Sequence, residues 1–112
     1  MVEYRRQALD STYGALSSDA RRAIVRELIH GERRVTDVAR PFEMSLAAVS
    51  KHIRVLEDAG IVRRRVDGRT HWLSLDPTPL AAAGGWIEAT RSFWEGRIDA
   101  LEALMIDRGR GL

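Results

Sequence analysis

The stretch SLAAVSKHIRVLEDAGIVRRRVDGRTHW, residues 45–72, constrains the fold of this chain more than any other part of it. Ser45 is a good N-cap, and small or apolar residues follow it at three- and four-residue steps until Gly60, which predicts a helix. Beyond Gly60 the residues alternate as far as Asp67-Gly68, a pair that favours a two-residue turn and therefore predicts a hairpin. Any predicted fold has to accommodate a helix followed at once by an arginine-rich hairpin.

Two helices are predicted at the start of the chain. Weak helical periodicity covers residues 3–14. A clearer pattern lies in SSDARRAIVRELIHG, where Ser17 or Ser18 is the expected cap and Gly31 the expected end. Both segments are short enough to pack beside the helix of residues 45–60.

A short third helix and a long last helix complete the prediction. VTDVARPF predicts a helix that is capped by Thr36 and ends near Pro41, because the residue before a proline avoids the helical region. Residues 77–79, PTP, begin a last helix that runs to about Met105, since proline is tolerated in a first turn. Gly84-Gly85 is expected either to kink this helix or to divide it.

The predicted order is therefore α-α-α-α-β-β-α. Two short helices separated by a tight turn, with a hairpin behind the second, are typical of a winged helix-turn-helix. The 112 residues suffice for one such domain and not for two. We predict a mainly α single domain over residues 1–112, with the helix-turn-helix at 35–59 and a β-hairpin wing at 61–75.

The composition excludes several classes of protein. The absence of cysteine excludes disulfides, thiolate metal sites and thiol redox chemistry. Apolar runs stay well below the roughly 18 residues that cross a bilayer, and the N-terminus lacks a signal-peptide core, so we expect a cytoplasmic protein without a membrane partner. Neither a Ser/His/Asp grouping nor a glycine-rich phosphate loop is apparent, so no enzyme activity, catalytic residue or cofactor is predicted.

The charges are unevenly distributed along the chain. Residues 45–72 hold six basic and three acidic side chains, whereas residues 77–107 hold two basic and five acidic ones. A basic middle and an acidic C-terminal segment indicate a localised contact with a polyanion.

Three strings within residues 15–76, ARRAIVRELIHGERRVTDVA, MSLAAVSKHIRVLEDAGIV and RRRVDGRTHWLSL, resemble the ArsR/SmtB family of bacterial winged-helix repressors. The C-terminal WIEATRSFWEGRIDALEALM resembles the last helix of one branch of that family. The resemblance implies a homodimer that binds operator DNA, commonly to repress its own operon, and many members release DNA when a metal binds. Glu43 stands where the family often has glycine, and a positive φ there would cost about 1 kcal/mol.

The exposed face of the helix after Ser45 is the predicted sequence reader, because a helix fits the major groove and its N-terminal side chains reach base edges. We expect Leu46 and Ala47 to meet thymine methyls and Arg54 to meet the backbone. His52 is either a phosphate contact or a residue with a role within the fold, and Arg69 is the strongest candidate in the wing. The predicted DNA-binding residues are Ser45, Leu46, Ala47, Ser50, Lys51, His52, Arg54, Arg63, Arg65 and Arg69. The alternative is a solvated helix and a hairpin kept soluble by charge.

The last helix carries more apolar surface than one small core can cover. We therefore predict a homodimer through terminal helices at residues 1–16 and 79–106, and twofold symmetry then predicts an inverted-repeat operator. The predicted interface residues are Leu9, Tyr13, Trp86, Phe93, Trp94, Ile98, Leu101 and Leu104. The alternative is that all of them belong to the core of one chain.

Metal sensing, which the resemblance suggests, is not supported by the residues. His30, His52 and His71 lie in different predicted elements, and residues 77–112 contain no histidine, so no metal site is predicted. Two alternatives stay open for the trigger: a metal-independent dimeric repressor with an unknown trigger or none, and a small-molecule sensor with a pocket between the terminal helices near Gly84-Gly85 and the tryptophans. A protein-interaction module on a helix-turn-helix scaffold is a third possibility. The basic residues Lys51 and Arg54 on the predicted reading helix argue against it.

Overall fold

The computed structural model describes residues 2–110, so Met1, Gly111 and Leu112 of the predicted domain lie outside the described residues. The elements are α1 (Val2–Ala15), α2 (Asp19–Leu28), β1 (Arg33–Arg34), α3 (Val35–Ala39), α4 (Leu46–Asp58), β2 (Val62–Asp67), β3 (Thr70–Leu75) and α5 (Pro77–Arg110). The strands form an antiparallel sheet in the order β1-β3-β2. The predicted fold class, mainly helical with a β-hairpin wing, is confirmed.

One core joins α2, α3 and α4 to the sheet. The predicted apolar face of α4, Val49, Ile53 and Leu56, is completely buried. Its neighbours in the core are Ala15, Ile24, Leu28, Val38, Ile61, Val62 and Leu73. Because this face points inward, the opposite face of α4 points to solvent.

Local signals fix both ends of α4. The Ser45 hydroxyl accepts the backbone N–H of Ala48 at 3.1 Å, as the sequence predicted. At the other end Ala59 is the C-cap and Gly60 follows with φ +77°. The backbone N–H of Ile61 donates to the carbonyl of Leu56 at 3.0 Å, and that of Gly60 to Glu57 at 2.9 Å. This Schellman motif sets the direction in which the chain leaves α4 for the wing.

The wing turn lies one residue later than predicted. Asp67 pairs with Thr70 across the hairpin, so the two-residue turn is Gly68-Arg69 rather than Asp67-Gly68. Gly68 has φ +62°, whereas Arg69 does not have positive φ, because only glycines do among residues 2–110. A positive φ at the first turn residue alone is the pattern of a type II′ turn. Arg69 therefore lies at the tip of the wing.

The prediction that Thr36 caps α3 is wrong, and the structure adds a strand before this helix that the predicted order lacks. The helix begins at Val35 with Arg34 as N-cap, and this cap makes no side-chain hydrogen bond, so Thr36 is inside the helix rather than its cap. Before it, β1 pairs with β3 through Arg33 and Arg34, a strand of two residues that is too short to show alternation. Glu43 does not have positive φ, so the cost that a positive φ would bring at this position does not arise.

The last helix is longer than predicted and is not divided at Gly84-Gly85. It continues through Gly84-Gly85 without a break and extends past Met105 to Arg110. Side chains from 84 to 108 are exposed except that of Thr90, which is half-buried. The protruding helix gives the chain dimensions of 77 × 34 × 22 Å. Within residues 2–110, none of the helices combines the length and the apolar character that a membrane crossing requires.

Candidate nucleic-acid interface

The solvent-facing side of α4 presents most of the residues predicted to read DNA. Leu46 is 55% exposed, Ala47, Lys51 and Arg54 are also exposed, and Ser50 is half-buried. Ser45 uses its hydroxyl to cap the helix, which leaves it at the N-terminal end of this face. A helix end of this kind can contribute free backbone N–H groups to an anion.

His52 faces the inside of the domain rather than the open surface of α4. Its Nδ1 lies 3.3 Å from Nη1 of Arg21, and Arg21 also donates to the carbonyls of Ala15 at 2.6 Å and Gly14 at 3.1 Å. The imidazole thus joins α4 to the start of α2 and the end of α1. This is the role within the fold that was one of its two alternatives, while a phosphate contact by His52 stays a prediction.

Two predicted DNA contacts in the wing, Arg63 and Arg65, form ion pairs. Arg63 Nη2 lies 2.6 Å from Asp76, and Arg65 donates to Glu32 through Nη2 at 2.7 Å and Nε at 3.2 Å. The hydrogen bond from Arg65 lowers the pKa of Glu32 below its ordinary value. Both guanidinium groups are therefore partly neutralised by carboxylates of the same chain.

Arg69 differs from these two arginines. It is exposed at the tip of the wing, and among residues 2–110 no carboxylate forms an ion pair with it. An arginine that is exposed and uncompensated is the wing residue best placed to meet a phosphate or the minor groove.

The sequence analysis did not assign Arg64, the third wing arginine, to a contact. The alternation of β2 places it on the same face as buried Val62, and Leu73 opposite it is also buried. Arg64 donates to Glu57 of α4 through Nη2 at 2.6 Å and Nε at 3.2 Å. Its Nη1 lies 3.0 Å from Nδ1 of His71 in β3. The predicted alternation of β2 was a signal that Arg64 points toward α4.

A polar cleft between the start of α3 and the wing was also missed. It has a volume of about 300 Å³ and is lined by Arg34, Val35, Thr36, Arg64, Arg69, Thr70 and His71. Guanidinium and hydroxyl groups are donors that suit phosphate oxygens. The pairing of β1 with β3 places Arg34 opposite Trp72, two residues from Thr70, so the linear sequence gave no signal for this cleft.

The predicted interface residues of α5 lie on the surface of the chain. Trp86, Phe93, Trp94, Ile98, Leu101 and Leu104 are between 54% and 60% exposed. The alternative that all of them belong to the core of one chain is therefore wrong. Tyr13 and Leu9 of α1 are half-buried, and the Tyr13 hydroxyl donates to the carbonyl of Ala83 at 2.8 Å. The edge of the Tyr13 ring meets Trp86, with 6.2 Å between the ring centroids.

An apolar groove of about 690 Å³ runs between α1 and α5. Leu9, Ala82 and Trp86 line it, Arg5 lies at its edge, and Ala59-Gly60, the end of α4, forms part of its wall. The possible pocket was expected between the terminal helices near Gly84-Gly85 and the tryptophans; Trp86 lines this groove, whereas the two glycines do not. The groove touches both terminal helices and the C-cap of α4.

Possible metal-ligating side chains are dispersed over the described residues. In the part of the chain that the structure describes, no three side chains from His, Cys, Asp and Glu come close enough together to hold a metal ion. His52 and His71 contact Arg21 and Arg64 respectively, so both rings face a cation of the fold.

Comparisons with known proteins agree with this geometry. A family model described as a helix-turn-helix domain matches residues 16–65. The HTH-type transcriptional regulator Rv2034 of Mycobacterium tuberculosis is 44% identical over 73 residues, which cover 65% of this chain and 68% of that protein. The transcriptional repressor SdpR of Bacillus subtilis is 27% identical over 79 residues, which cover 70% of this chain and 88% of that protein.

Solved structures share the fold over most of the chain. The crystal structure of an ArsR family transcriptional regulator matches with a TM-score of 0.76 at 32% identity, over 80% of this chain and 93% of that one. A homodimeric winged helix-turn-helix DNA-binding domain from Mycobacterium bovis matches with a TM-score of 0.62, over 78% of this chain and 82% of that one. The second match is 22% identical and shows the fold alone.

Proposed function

This chain belongs to the ArsR family of helix-turn-helix transcriptional regulators, and we propose that it is a homodimeric repressor of an inverted-repeat operator. The observation that carries the proposal is the exposed face of α4, where Lys51 and Arg54 stand beside a wing with Arg69 at its tip. A basic helix face next to a basic hairpin can grip one duplex in the major groove and along the backbone.

The proposed contacts divide into two groups. Leu46, Ala47, Ser50 and Lys51 lie near the N-terminal end of α4, where side chains reach base edges, so we assign sequence reading to them. Arg54 and Arg69 supply phosphate contacts, and Thr36 and Thr70 of the polar cleft are added to this group. Arg34 also lines this cleft but donates to Asp37 at 3.0 Å, so a phosphate would have to replace that carboxylate. Arg63 and Arg65 contribute less than Arg69, because a phosphate would have to replace Asp76 or Glu32.

The homodimer is proposed from the exposed apolar surface of α5. Side chains at Trp94, Ile98 and Leu101 recur at steps of four and three residues and are more than half exposed. Such spacing is that of a helix–helix seam, and large contiguous apolar patches mark interaction sites. We therefore keep residues 1–16 and 79–106 as dimerisation segments. The solved relative from M. bovis is homodimeric, which supports the same arrangement here.

The repressor hypothesis is tested by selection of duplexes from a random pool by the purified protein. We expect an inverted repeat with half-sites about one helical turn apart. Lys51→Ala combined with Arg54→Ala should abolish binding to the selected duplex while leaving the dimer intact, as measured by sedimentation. Each neutralised phosphate adds about −0.9 to the slope of log K against log salt, so affinity should fall steeply between about 50 and 300 mM salt. Unchanged binding by the double variant would contradict the assignment of α4 as the reading helix, whereas selection of no duplex by the wild type would favour a protein-interaction module.

A second candidate function, response to a small molecule, is favoured by the apolar groove between α1 and α5. Its volume of about 690 Å³ lies within the roughly 300–1,000 Å³ that ligand pockets occupy. Contact with Ala59-Gly60 would let an occupant act on the end of α4. Ala82→Trp should fill the groove and abolish any release of DNA by cell extract, while DNA binding without extract stays as in the wild type.

A further inference from the structure

The link between α4 and β2 consists of only three residues, Ala59 to Ile61, but one side-chain contact spans the same junction. Glu57 is the penultimate residue of α4, and Arg64 lies in the middle of β2. Two parallel hydrogen bonds of 2.6 and 3.2 Å join the guanidinium to the carboxylate. A bidentate pair of this kind fixes orientation as well as distance. The backbone cap at Gly60 and this pair both lie at the junction of α4 and the wing.

The pair is more enclosed than the other ion pairs of the wing. The side chains of Arg64 and Glu57 are 28% and 26% exposed, whereas that of Arg63 is 73% exposed and that of Arg65 is 54% exposed. The hydrogen bond to Glu57 raises the pKa of Arg64 above its ordinary value. His71 adds a third contact to Arg64 from β3. Lower exposure reduces screening by solvent, so this pair holds its geometry better than its neighbours.

Glu57 also lies on the side of α4 that we propose faces DNA. It follows Ser50 and Arg54 at steps of four and three residues, and all three line one cleft with Arg64. An unpaired carboxylate there would repel phosphates. Arg64 is the cation nearest to it, so the charge that α4 presents depends on the wing being in place.

We propose that the Glu57–Arg64 pair positions the wing against α4 for DNA recognition, and that Arg64 acts through this pair rather than by binding a phosphate. The inference rests on the proposed function, since it concerns the same surface. Arg64 and Glu57 are positioning residues, and their loss changes the fit of the two elements to one duplex. Sequence-specific binding is thereby weakened, whereas binding to unrelated DNA keeps its strength.

The experiment compares Glu57→Gln, Arg64→Gln and the double variant on the duplex selected by the wild type and on an unrelated duplex of equal length. We expect each single variant to lose about tenfold in affinity for the selected duplex, and the double variant to lose no more, because the two residues act as a unit. The salt slope should match that of the wild type. Asp58→Asn is the matched control: this carboxylate lines the same cleft and makes no ion pair among the described residues, so its removal should raise affinity slightly.

Direct phosphate binding by Arg64 would change the affinities of these variants differently. If Arg64 bound a phosphate, Glu57→Gln would raise affinity as Asp58→Asn does, and Arg64→Gln would weaken both duplexes and reduce the salt slope by about 0.9 per subunit. Any of these results overturns the proposal.

Arg64→Lys keeps the positive charge but cannot make the two parallel hydrogen bonds of the guanidinium group. It therefore tests the pair even if circular dichroism shows that Arg64→Gln folds poorly. We expect Arg64→Lys to lose specific binding as Arg64→Gln does, and wild-type affinity would contradict the pair's positioning role. If the wild type itself prefers no duplex, the proposed function fails. If it is selective and the variants match it, only the positioning role fails.

Discussion

The packed region of residues 15–75 and the distal part of α5, residues 84–108, both contain many large apolar side chains. The packed region buries most of them, whereas distal α5 exposes them to solvent. Ile53, Leu56 and Leu73 are 0% exposed, whereas Leu101 and Met105 are 60% and 66% exposed. A lone helix gains little stability from its own propensity, and two adjacent glycines lower it further. Apolar content alone therefore does not locate the core, and the distal α5 carries a surface suited to a second chain.

The strongest test of this comparison is a charge at equally exposed positions in the two regions. Leu101 in α5 and Ile29 after α2 are both 60% exposed. Leu101→Glu should convert the dimer to a monomer and lower affinity for an inverted repeat by about 10²- to 10⁴-fold, through lost bivalency. Ile29→Glu should leave both unchanged. Sedimentation and DNA titration measure the two outcomes, and equal effects at the two positions would refute the distinction between the regions.

For the free energy of unfolding, we expect the larger effect in the packed region and the smaller one in distal α5. In the monomeric Leu101→Glu background, Leu56→Ala should lower the free energy of unfolding by about 2–5 kcal/mol, because it leaves a cavity in a closely packed core. Phe93→Ala, which truncates a 59% exposed side chain, should change it by less than about 0.5 kcal/mol. Urea unfolding at fixed protein concentration measures both. A large loss for Phe93→Ala would mean that distal α5 packs on its own chain.

The predictions that the structure confirmed depend on neighbours in sequence. The apolar face of α4, its Ser45 cap and the glycine after its end follow from spacings of three or four residues. Charged contacts of the wing depend instead on tertiary placement, since Arg64 reaches a partner seven residues away and Arg65 one 33 residues away. A run of arginines therefore predicts a basic surface, but the structure distinguishes the exposed Arg69 from arginines that are paired within the chain.

The sequence predicted two helix caps, Ser45 and Thr36, and only Ser45 caps its helix in the structure. Their substitution should change stability less than the core substitution does. Ser45→Ala removes the acceptor for the Ala48 N–H and should cost about 1 kcal/mol of unfolding free energy. Thr36→Ala should cost much less, because α3 begins at Val35 and its N-cap makes no side-chain hydrogen bond. Thermal unfolding of the two variants is the measurement. A loss for Thr36→Ala as large as that for Ser45→Ala would restore the cap that the sequence suggested.

The smallest expected effect is a pH dependence at Asp76, where the packed region meets α5. Its Oδ1 accepts the backbone N–H of Thr78 at 3.0 Å, and this bond, followed by Arg63, lowers the pKa of Asp76. A carboxyl with a depressed folded pKa stabilises the fold above its unfolded pKa, near 4, and loses that contribution as pH falls through the folded pKa. The stability difference between wild type and Asp76→Asn should therefore be constant at about pH 5–7 and shrink as pH falls below about 4. Urea titrations at each pH measure these differences. Asp99→Asn is the control, because Asp99 lies on exposed α5 and makes no ion pair among residues 2–110, so this variant should follow the wild type. A stability difference for Asp76→Asn that persists to about pH 2 would contradict the stabilising role of the ionised Asp76 carboxylate.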